Sequence, residues 1–272
     1  MSPEFYPPEL TDQSRRVLDK VLATVPDAVL IGGWGTWAHL GSMPSHDVDL
    51  MVDHTQLDLL RTRFGEITAS THVGGRKWRG SVEGIHLDLY VPYQSRLGQA
   101  LQLRVEQLTT ASEVVGGRRV LPVPVHVATK LAALLDRPES LPGQKDREEI
   151  WALAPRAEPE ELATALRASA RPLEELARLV DTGLSYLEDL DLGRAERRHL
   201  RQWRLMTTEV VAARKAGPTA NRDKNRDAHL AELSETSRRR IAAAARLGSP
   251  PRPLPPPPGP APTSRPGPDL DR

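Results

Sequence analysis

The sequence of 272 residues contains no cysteine and only two phenylalanines. A chain without cysteine forms no disulfide bond and offers a metal ion no thiolate, so oxygen or imidazole groups would have to hold any metal. It also contains no run of the roughly 20 apolar residues that a membrane-spanning helix needs. The N-terminal segment has no basic stretch followed by an apolar run, which argues against a secretory signal. These absences predict a soluble, cytoplasmic protein without a membrane partner.

Lysine is scarce, and charge is unevenly distributed along the chain. Only six of the 37 basic residues are lysine, so contacts with phosphate groups would fall mainly to arginine. The net charge of +1 combines −8 over residues 1–192 with +8 over residues 193–247 and +1 over the remainder. The acidic part suits a divalent cation, and the basic part suits a polyanion such as RNA or an acidic partner protein. Solvated, arginine-rich helix faces explain the basic part equally well.

Helical and strand patterns alternate over the first 155 residues. Helical spacing of apolar residues covers 11–24, 34–40, 55–64 and about 97–111, and strand patterns cover 28–31, 46–52, 66–71, 76–82 and 85–91. An extended stretch at 118–125 precedes predicted helices at 126–137 and 145–154, with a loop at 138–144 between them. The alternation predicts an α+β (α/β-like) domain over residues 1–155, with a small mixed sheet flanked by helices.

The rest of the chain has a different composition. Residues 156–247 are rich in alanine, leucine and arginine and predict a helical C-terminal region, with breaks near Pro172 and Gly193 and a last helix over 224–247. Proline makes up 11 of the 23 residues from Pro250 onward, a composition that cannot bury a core. Residues 248–272 are therefore expected to form a disordered, proline-rich tail.

Acidic and apolar residues alternate on two of the predicted strands. Asp47 and Asp49 are two residues apart, so strand geometry places both carboxylates on one face and His46 on the other. Like charges this close repel each other unless a cation neutralises them, and oxygen ligands favour Mg²⁺ or Mn²⁺. Asp88, in the segment IHLDLYV, would join the pair if the two strands are neighbours, and three carboxylates can hold two ions. Asp53, at the end of the first strand, is expected to be a turn or cap residue.

Two glycines precede the aspartates and suggest a place for phosphate. Gly32 and Gly33 lie between a predicted strand and a helix that is predicted to begin at about Trp34. Glycine lets a phosphate approach the backbone closely, and the first N–H groups of a helix attract anions. The combination of Gly-Gly, a 13-residue spacer and Asp-x-Asp is much more specific than either motif alone.

These motifs carry a resemblance to a known superfamily. The segment LIGGWGTWAHLGSMPSHDVDLMVD resembles the signature of the polymerase β nucleotidyltransferase superfamily, and LDLYVPY resembles the strand with its third carboxylate. The segment TKLAALLDRPESLPGQKDREEIWAL resembles the Lys…Arg…Lys-Asp-x-x-Asp region of the AbiEii-type branch, which includes toxins of bacterial toxin–antitoxin systems. The resemblance covers about residues 20–155 and implies a nucleotidyltransferase fold.

The resemblance also assigns expected roles to single residues. It implies that Asp47, Asp49 and Asp88 are the catalytic and metal-binding carboxylates. The residues that it implies for nucleotide binding are the phosphate-loop glycines, a hydroxyl residue and three charged residues further on: Gly32, Gly33, Ser45, Lys130, Lys145 and Asp146. The chain departs from the pattern in two places. Glu149 stands where aspartate is usual, and Met43 stands where many relatives have an arginine that contacts phosphate.

The expected function is a Mg²⁺- or Mn²⁺-dependent transfer of a nucleoside monophosphate from a nucleoside triphosphate to an acceptor hydroxyl. The resemblance and the basic C-terminal region favour RNA, for example a tRNA end, as the acceptor, in a toxin that a cognate antitoxin protein would neutralise. Two alternatives stay open. One is a nucleotidyltransferase acting on a small molecule, as antibiotic-modifying enzymes with a similar Gly-Gly-Trp opening do. The other is a catalytically silent module that binds a nucleotide or a partner.

Overall fold

The structure, a computed structural model, describes residues 5–72 and 75–213. The α-helices in this part of the chain are α1 (Pro8–Thr24), α2 (Gly32–Leu40), α3 (His54–Phe64), α4 (Val105–Thr109), α5 (Val123–Asp136), α6 (Leu141–Leu153), α7 (Pro159–Ser169), α8 (Leu176–Ser185) and α9 (Arg194–Ala212). The strands are β1 (Val29–Leu30), β2 (Val48–Met51), β3 (Thr68–His72), β4 (Gly75–Val82), β5 (Ile85–Tyr90), β6 (Arg96–Leu97), β7 (Gln102–Arg104), β8 (Glu113–Val115), β9 (Arg118–Val120) and β10 (Ala170–Arg171).

Seven of the described strands form one mixed sheet in the order β3-β4-β5-β2-β1-β9-β8. Strand β2 runs parallel to β5 and antiparallel to β1, and β1 runs parallel to β9. The remaining described strands form a small antiparallel sheet in the order β10-β7-β6. The predicted class, a mixed sheet with flanking helices followed by a helical C-terminal region, is confirmed.

Each face of the large sheet is covered by its own hydrophobic core, because strand side chains alternate between faces. Val48 and Leu50 belong to the core that includes Leu18 of α1 and Leu60 of α3. Met51 belongs to the opposite core, which includes Leu131 of α5 together with side chains of α6, α7, α8 and α9. Asp49 therefore emerges on the same face of β2 as Met51, towards α5.

Local capping explains several boundaries of the helices. The side chain of Asp53 accepts a hydrogen bond of 2.7 Å from the backbone N–H of Gln56, so Asp53 is the N-cap of α3 as expected. Helices α5 and α6 begin at Val123 and Leu141, three and four residues earlier than the predicted starts at 126 and 145. Both have proline in the first turn. Proline is tolerated there because the N–H groups of the first turn form no hydrogen bond within the helix, so the N–H that proline lacks is not needed. The prolines that suggested an extended chain and a loop are helix starts instead.

The helix predicted over about 97–111 is wrong for most of its length. Residues 96–104 form β6, a turn and β7, and only Val105–Thr109 is helical. Leu101, Leu103 and Val105 are fully buried at alternate positions, which is the period of a strand. Gly98 has φ = +80°, and a Cβ there would lie 2.3 Å from the Leu101 carbonyl oxygen, so the chain turns sharply between the two strands.

The helices after residue 155 are packed into the same core as the sheet. Leu162, Val180, Leu184 and Trp203 all belong to the core that contains Leu131. Within this region Pro172 ends a short strand and Gly193 is the N-cap of α9, which agrees with the predicted breaks. The domain boundary near residue 155 stays a prediction, and the hydrophobic core continues across it. The predicted helix over 224–247 and the proline-rich tail lie outside the described residues.

Within the described ranges, no helix is long and apolar enough to cross a membrane. The predicted cytoplasmic location stays a prediction.

The shared core can be tested at Trp203, whose indole is 5% exposed and donates a hydrogen bond of 2.9 Å to the Ala157 carbonyl. We expect Trp203→Ala to lower the free energy of unfolding by about 3–5 kcal/mol, because it leaves a large cavity between α9 and the core. The control is Leu205→Ala on the same helix, which is 59% exposed and should change stability by about 0.5 kcal/mol or less. Chemical denaturation measures both, and equal effects of the two substitutions would contradict this packing.

Candidate active site

A cavity of about 330 Å³ lies between β2, β5, the start of α2, and helices α5 and α6. This cavity is lined by all nine predicted site residues, which come from segments far apart in the chain. They are Gly32, Gly33, Ser45, Asp47, Asp49, Asp88, Lys130, Lys145 and Asp146. Their roles stay predictions. The fold brings acidic, basic and glycine residues to a single place.

The parallel pairing of β2 with β5 sets two of the carboxylates side by side. Asp49 and Asp88 are directly opposite each other in the register of the two strands, as expected if the strands are neighbours. Asp47 precedes β2, which begins at Val48, so strand alternation does not place it. Instead, the buried Ser45 hydroxyl donates a hydrogen bond of 2.6 Å to Asp47 Oδ1 and fixes that carboxylate at the cavity.

The electrostatics of the site disfavour the charged form of Asp49. Its carboxyl group borders the cavity but is enclosed by protein, and this loss of hydration, reinforced by Asp47 and Asp88, raises the pKa of Asp49 to about 8. Burial alone would raise the pKa of Asp47 as well. The hydrogen bond from Ser45 and the positive charges nearby outweigh burial and hold the pKa of Asp47 below its usual range. Asp49 is therefore the position where an added cation would stabilise the site most.

Two basic side chains that sequence reasoning missed neutralise Asp88. Lys77 Nζ lies 2.5 Å from Asp88 Oδ2, and Arg79 Nε lies 3.0 Å from Oδ1. Strand β4 is antiparallel to β5, with Arg79 opposite Asp88, and Lys77 is two residues away on the same face. The signal in the sequence was the alternation of basic residues in RKWRG, directly before the strand that carries Asp88.

The carboxylates of the cavity are the type of ligand that a divalent cation prefers, but too few of them are free to complete a metal site. Among the residues that the structure describes, no group of three or more His, Asp or Glu side chains could hold a metal ion. Asp47 and Asp49 supply adjacent oxygens, and the raised pKa of Asp49 marks a carboxylate without its own cation. This pair fits a hard divalent ion. Asp88 could contribute a third oxygen only if Lys77 or Arg79 moved away from it.

The start of α2 forms the other end of the cavity. The helix begins at Gly32 rather than near Trp34, so both glycines lie in its first turn, where N–H groups have no intrahelical partner. Gly32 has φ = +63°, and a Cβ there would lie 2.2 Å from Asp49 Oδ2. A Cβ at Gly33 would lie 2.6 Å from Ser45 Oγ and 2.9 Å from Lys145 Nζ. A side chain at either position would collide with a polar group of the cavity. Glycine is therefore needed at both positions to let the start of α2 lie this close to those groups.

A buried network of charges holds the two lysines of the site. Lys130 forms ion pairs with Asp146, at 3.2 Å, and with Glu149, which is fully buried. Burial would lower the pKa of Lys130, but Glu149 and Asp146 more than offset this and raise it, so Lys130 stays charged. Lys145 lies 3.7 Å from Glu149, donates a hydrogen bond to the Pro44 carbonyl and points to the cavity. Burial, only partly offset by Glu149, lowers the pKa of Lys145.

Within this network Asp146 and Glu149 support other residues. Asp146 is almost completely buried, accepts hydrogen bonds from Lys130 and also accepts two from Arg137, at 3.0 and 2.8 Å. Its carboxylate is therefore used within the protein and positions two cations that face the cavity. In the sequence Glu149 stands out only as a departure from a motif, so it is not among the predicted site residues.

Aromatic residues at the cavity were also missed or misplaced. Tyr6, which precedes α1, lines the cavity, and its ring lies 4.9 Å from Lys145 Nζ and 3.9 Å from the ring of His46. The expectation that His46 points away from Asp47 is wrong, because both residues precede β2 and do not alternate as strand residues do. No sequence pattern marked Tyr6, which is distant in the chain from the other residues. Met43 is buried and does not line the cavity.

Comparison with known proteins gives only distant similarities. No family model matches the chain, and a search of curated proteins found no match. Among solved structures, the chain is similar to JHP933 from Helicobacter pylori, with 14% identity over 83% of this chain and 98% of that one and a TM-score of 0.38. It is similar to ANT(2″)-Ia, solved in complex with adenylyl-2″-tobramycin, with 16% identity over 56% and 94% of the two chains and a TM-score of 0.41.

A third similar structure is an antigenic nucleotidyltransferase-like protein from Paracoccidioides brasiliensis. The identity is 18% over 70% of this chain and 97% of that one, with a TM-score of 0.33. All three TM-scores are below 0.5, so these similarities by themselves say nothing about what this chain binds or transfers.

Gly32 and Gly41 provide a matched test of the contact between α2 and Asp49. Both have left-handed backbones, with φ of +63° and +70°, but a Cβ at Gly41 would meet no atom within 4 Å. Gly41→Ala should cost only the backbone strain of about 1–2 kcal/mol. Gly32→Ala should cost more, because the methyl group must also displace the Asp49 carboxylate. The free energies of unfolding measure the difference, and equal losses would argue against this contact.

The raised pKa of Asp49 predicts how stability depends on pH in the metal-free protein. Between about pH 4 and pH 8 the unfolded chain has released the Asp49 proton while the folded protein keeps it, so this group makes folding less favourable as pH rises. The amide that replaces the carboxyl group in the Asp49→Asn variant has no such proton to release. The advantage of this variant over the wild type in free energy of unfolding should therefore grow with pH, by up to about 1.4 kcal/mol per pH unit.

Denaturation at several pH values in the presence of a chelator measures this advantage. Asp58→Asn, at an exposed position of α3, is the control. If the wild type and Asp49→Asn kept a constant difference between pH 4 and pH 8, the proposed environment of Asp49 would be incorrect.

Proposed function

We propose that the protein is a metal-dependent nucleotidyltransferase, which moves a nucleoside monophosphate from a nucleoside triphosphate to an acceptor hydroxyl. The observation that carries the proposal is the placement of Asp47 and Asp49 beside the first turn of α2 in one cavity. Adjacent carboxylates suit a divalent cation, and a glycine-rich helix start suits phosphate oxygens. Their combination matches a substrate made of a triphosphate and its cation. The chain's resemblance to the polymerase β superfamily agrees with this.

In this proposal Asp47 and Asp49 hold Mg²⁺ or Mn²⁺. The ion would offset the charge of the triphosphate and lower the pKa of the attacking hydroxyl. A hard cation between these carboxylates would also offset the burial and the repulsion that together keep Asp49 protonated. The roles of the remaining residues follow from where their side chains lie.

The chain's own groups would position the phosphates and manage the proton. Gly32, Gly33 and Lys145 line the cavity, where the glycine N–H groups and the Lys145 ammonium group would stabilise the charge of phosphate oxygens. The acceptor oxygen forms a bond to the α-phosphorus, the bond to the bridging oxygen breaks, and pyrophosphate leaves. The hydroxyl proton passes to Asp88, which can accept it, or join a second ion, only after releasing Lys77 or Arg79.

For Ser45 and Lys130 the geometry favours supporting roles over direct contact with phosphate. The Ser45 hydroxyl is used on Asp47, and the Lys130 ammonium group is held between two carboxylates. Both residues still border the cavity and would contribute to its charge. Asp146 would act through Lys130 and Arg137.

Two classes of molecule could supply the acceptor hydroxyl. One is an RNA, for example a tRNA end, in which case the enzyme would act as the toxin of a toxin–antitoxin pair and bind a cognate antitoxin protein. A neighbouring gene for such an antitoxin would support this role. The other is a small molecule of the antibiotic type.

A second candidate function is a catalytically silent module that binds a nucleotide. The observation that favours it is the closed state of Asp88, whose two carboxylate oxygens are both engaged by basic side chains. Such a module would bind a triphosphate without transferring any part of it.

The test is transfer of label from nucleoside triphosphates. The purified protein is incubated with Mg²⁺, α-labelled nucleoside triphosphates and total tRNA, and in parallel with aminoglycoside and lincosamide antibiotics. We expect incorporation of label that a chelator prevents and that Asp49→Ala reduces at least about 1,000-fold, because the variant loses a cation ligand. Asp58→Ala, on the surface of α3, should transfer label at the wild-type rate.

The alternatives give different results in the same experiment. Nucleotide binding without transfer to any acceptor, with Asp49→Ala behaving like the wild type in cells, would refute the enzyme and support the silent module.

A further inference from the structure

The first half of α9 presents a row of arginines to solvent. Arg194, Arg197, Arg198 and Arg201 follow the spacing i, i+3, i+4, i+7, so they lie on one side of the helix. All four are exposed, and together with Leu192 they line a surface cavity of about 520 Å³. The buried side of α9 points elsewhere and carries Leu200, Trp203, Thr207 and Val211. We name the four arginines the arginine face.

Within residues 5–72 and 75–213, the charges of the arginine face have no acidic partner. In the part of the chain that the structure describes, no carboxylate forms an ion pair with any of the four, whereas Arg204 on the same helix pairs with both Asp181 and Glu188. The acidic residue of this segment, Glu196, accepts a hydrogen bond from the Gly193 backbone instead. Four like charges within about 10 Å of helix destabilise it slightly, so they do not add to the stability of α9.

Helix α9 contacts the same helix that carries two residues of the active site. The ring of His199 lies 6.0 Å from the ring of Trp151, on α6. Lys145 precedes Trp151 by six residues, which is about 9 Å along the axis of α6. Because His199 lies on the side of α9 turned away from the arginine face, a ligand must also pass around the helix, which is about 10 Å wide, to contact both the arginine face and the cavity of Asp47 and Asp49. A folded RNA of many nucleotides is long enough to do this.

We infer that the arginine face binds the phosphate backbone of an RNA whose hydroxyl group is the acceptor of the nucleotide, an inference that rests on the proposed function. Guanidinium groups match phosphate oxygens in a planar, two-point geometry, and four in a row suit a repeating polyanion. RNA carries both the repeating phosphates and free hydroxyl groups. Aminoglycoside antibiotics are cations, which this face would repel.

The first measurement is binding of RNA in the absence of nucleotide and Mg²⁺. Fluorescently labelled tRNA is titrated with the full-length chain, as the wild type and as the double variant Arg197→Gln/Arg201→Gln, at several salt concentrations. We expect the double variant to bind at least about tenfold more weakly at low salt. The slope of log affinity against log salt concentration should also fall in magnitude by about 1.5–2, because two phosphate contacts are lost.

The matched control removes two exposed arginines elsewhere in the same compact unit. Arg16→Gln/Arg63→Gln changes the net charge equally, at exposed positions of α1 and α3. This variant should keep the wild-type affinity to within about twofold. Both double variants should unfold at the wild-type temperature, since all four substituted side chains are exposed.

Three outcomes separate this inference from the proposed function. Equal weakening by the two double variants, or tighter binding of phosphatidylserine vesicles or an acidic peptide than of tRNA, would overturn the inference. RNA binding that depends on the arginine face, without any transfer of nucleotide by the wild type, would refute the proposed function and leave a binding surface for RNA. Loss of transfer to RNA in Arg197→Gln/Arg201→Gln, with unchanged binding of nucleoside triphosphate, would support both.

Discussion

The parallel pairing of β2 with β5 forces two carboxylates together, and much of the surrounding structure depends on how their charge is compensated. Asp49 and Asp88 stand side by side in the strand register, with Asp47 two residues away. Repulsion between such groups is expensive where water is scarce. The protein compensates Asp88 with Lys77 and Arg79 but leaves Asp49 without a cation of its own. This arrangement suits the proposed function, in which the site binds a cation together with an anionic substrate.

A second cluster of charges shows the opposite solution. Lys130, Asp146 and Glu149 are buried together, and their charges compensate each other within the protein. Removing one member of such a cluster leaves a buried charge unpaired and is strongly destabilising. The cluster lies directly behind Lys145, so it also determines where that ammonium group stands. The buried, mutually compensated charges of this cluster therefore hold in place the Lys145 ammonium group, which lines the cavity.

The sequence was sufficient to predict the strands and glycines of the site but not its full set of charges. Asp49 and Asp88 could be found because strand alternation has a fixed period and short apolar strands tend to be neighbours. The alternation of Lys77 and Arg79 is visible in the sequence, but it points to Asp88 only once β4 is known to pair with β5 in antiparallel register. Tyr6 depends on three-dimensional packing, for which a single sequence offers no period. The errors at residues 96–104 and at the starts of α5 and α6 have similar causes, because a few apolar residues fit either period and proline is well tolerated in the first turn of a helix.

The hydrophobic core that joins one face of the sheet to α7, α8 and α9 limits how a chain with this fold can evolve. Leu131 packs in one cluster with Leu162, Val180 and Trp203, so the helix that carries Lys130 is covered by side chains from the C-terminal helices. Recombination that replaced these helices by an unrelated segment would uncover the apolar side of α5 and disturb the lysine on it. In the proposed nucleotidyltransferase, substrate preference would therefore change by single substitutions on exposed faces, such as that of α9, rather than by exchange of whole modules.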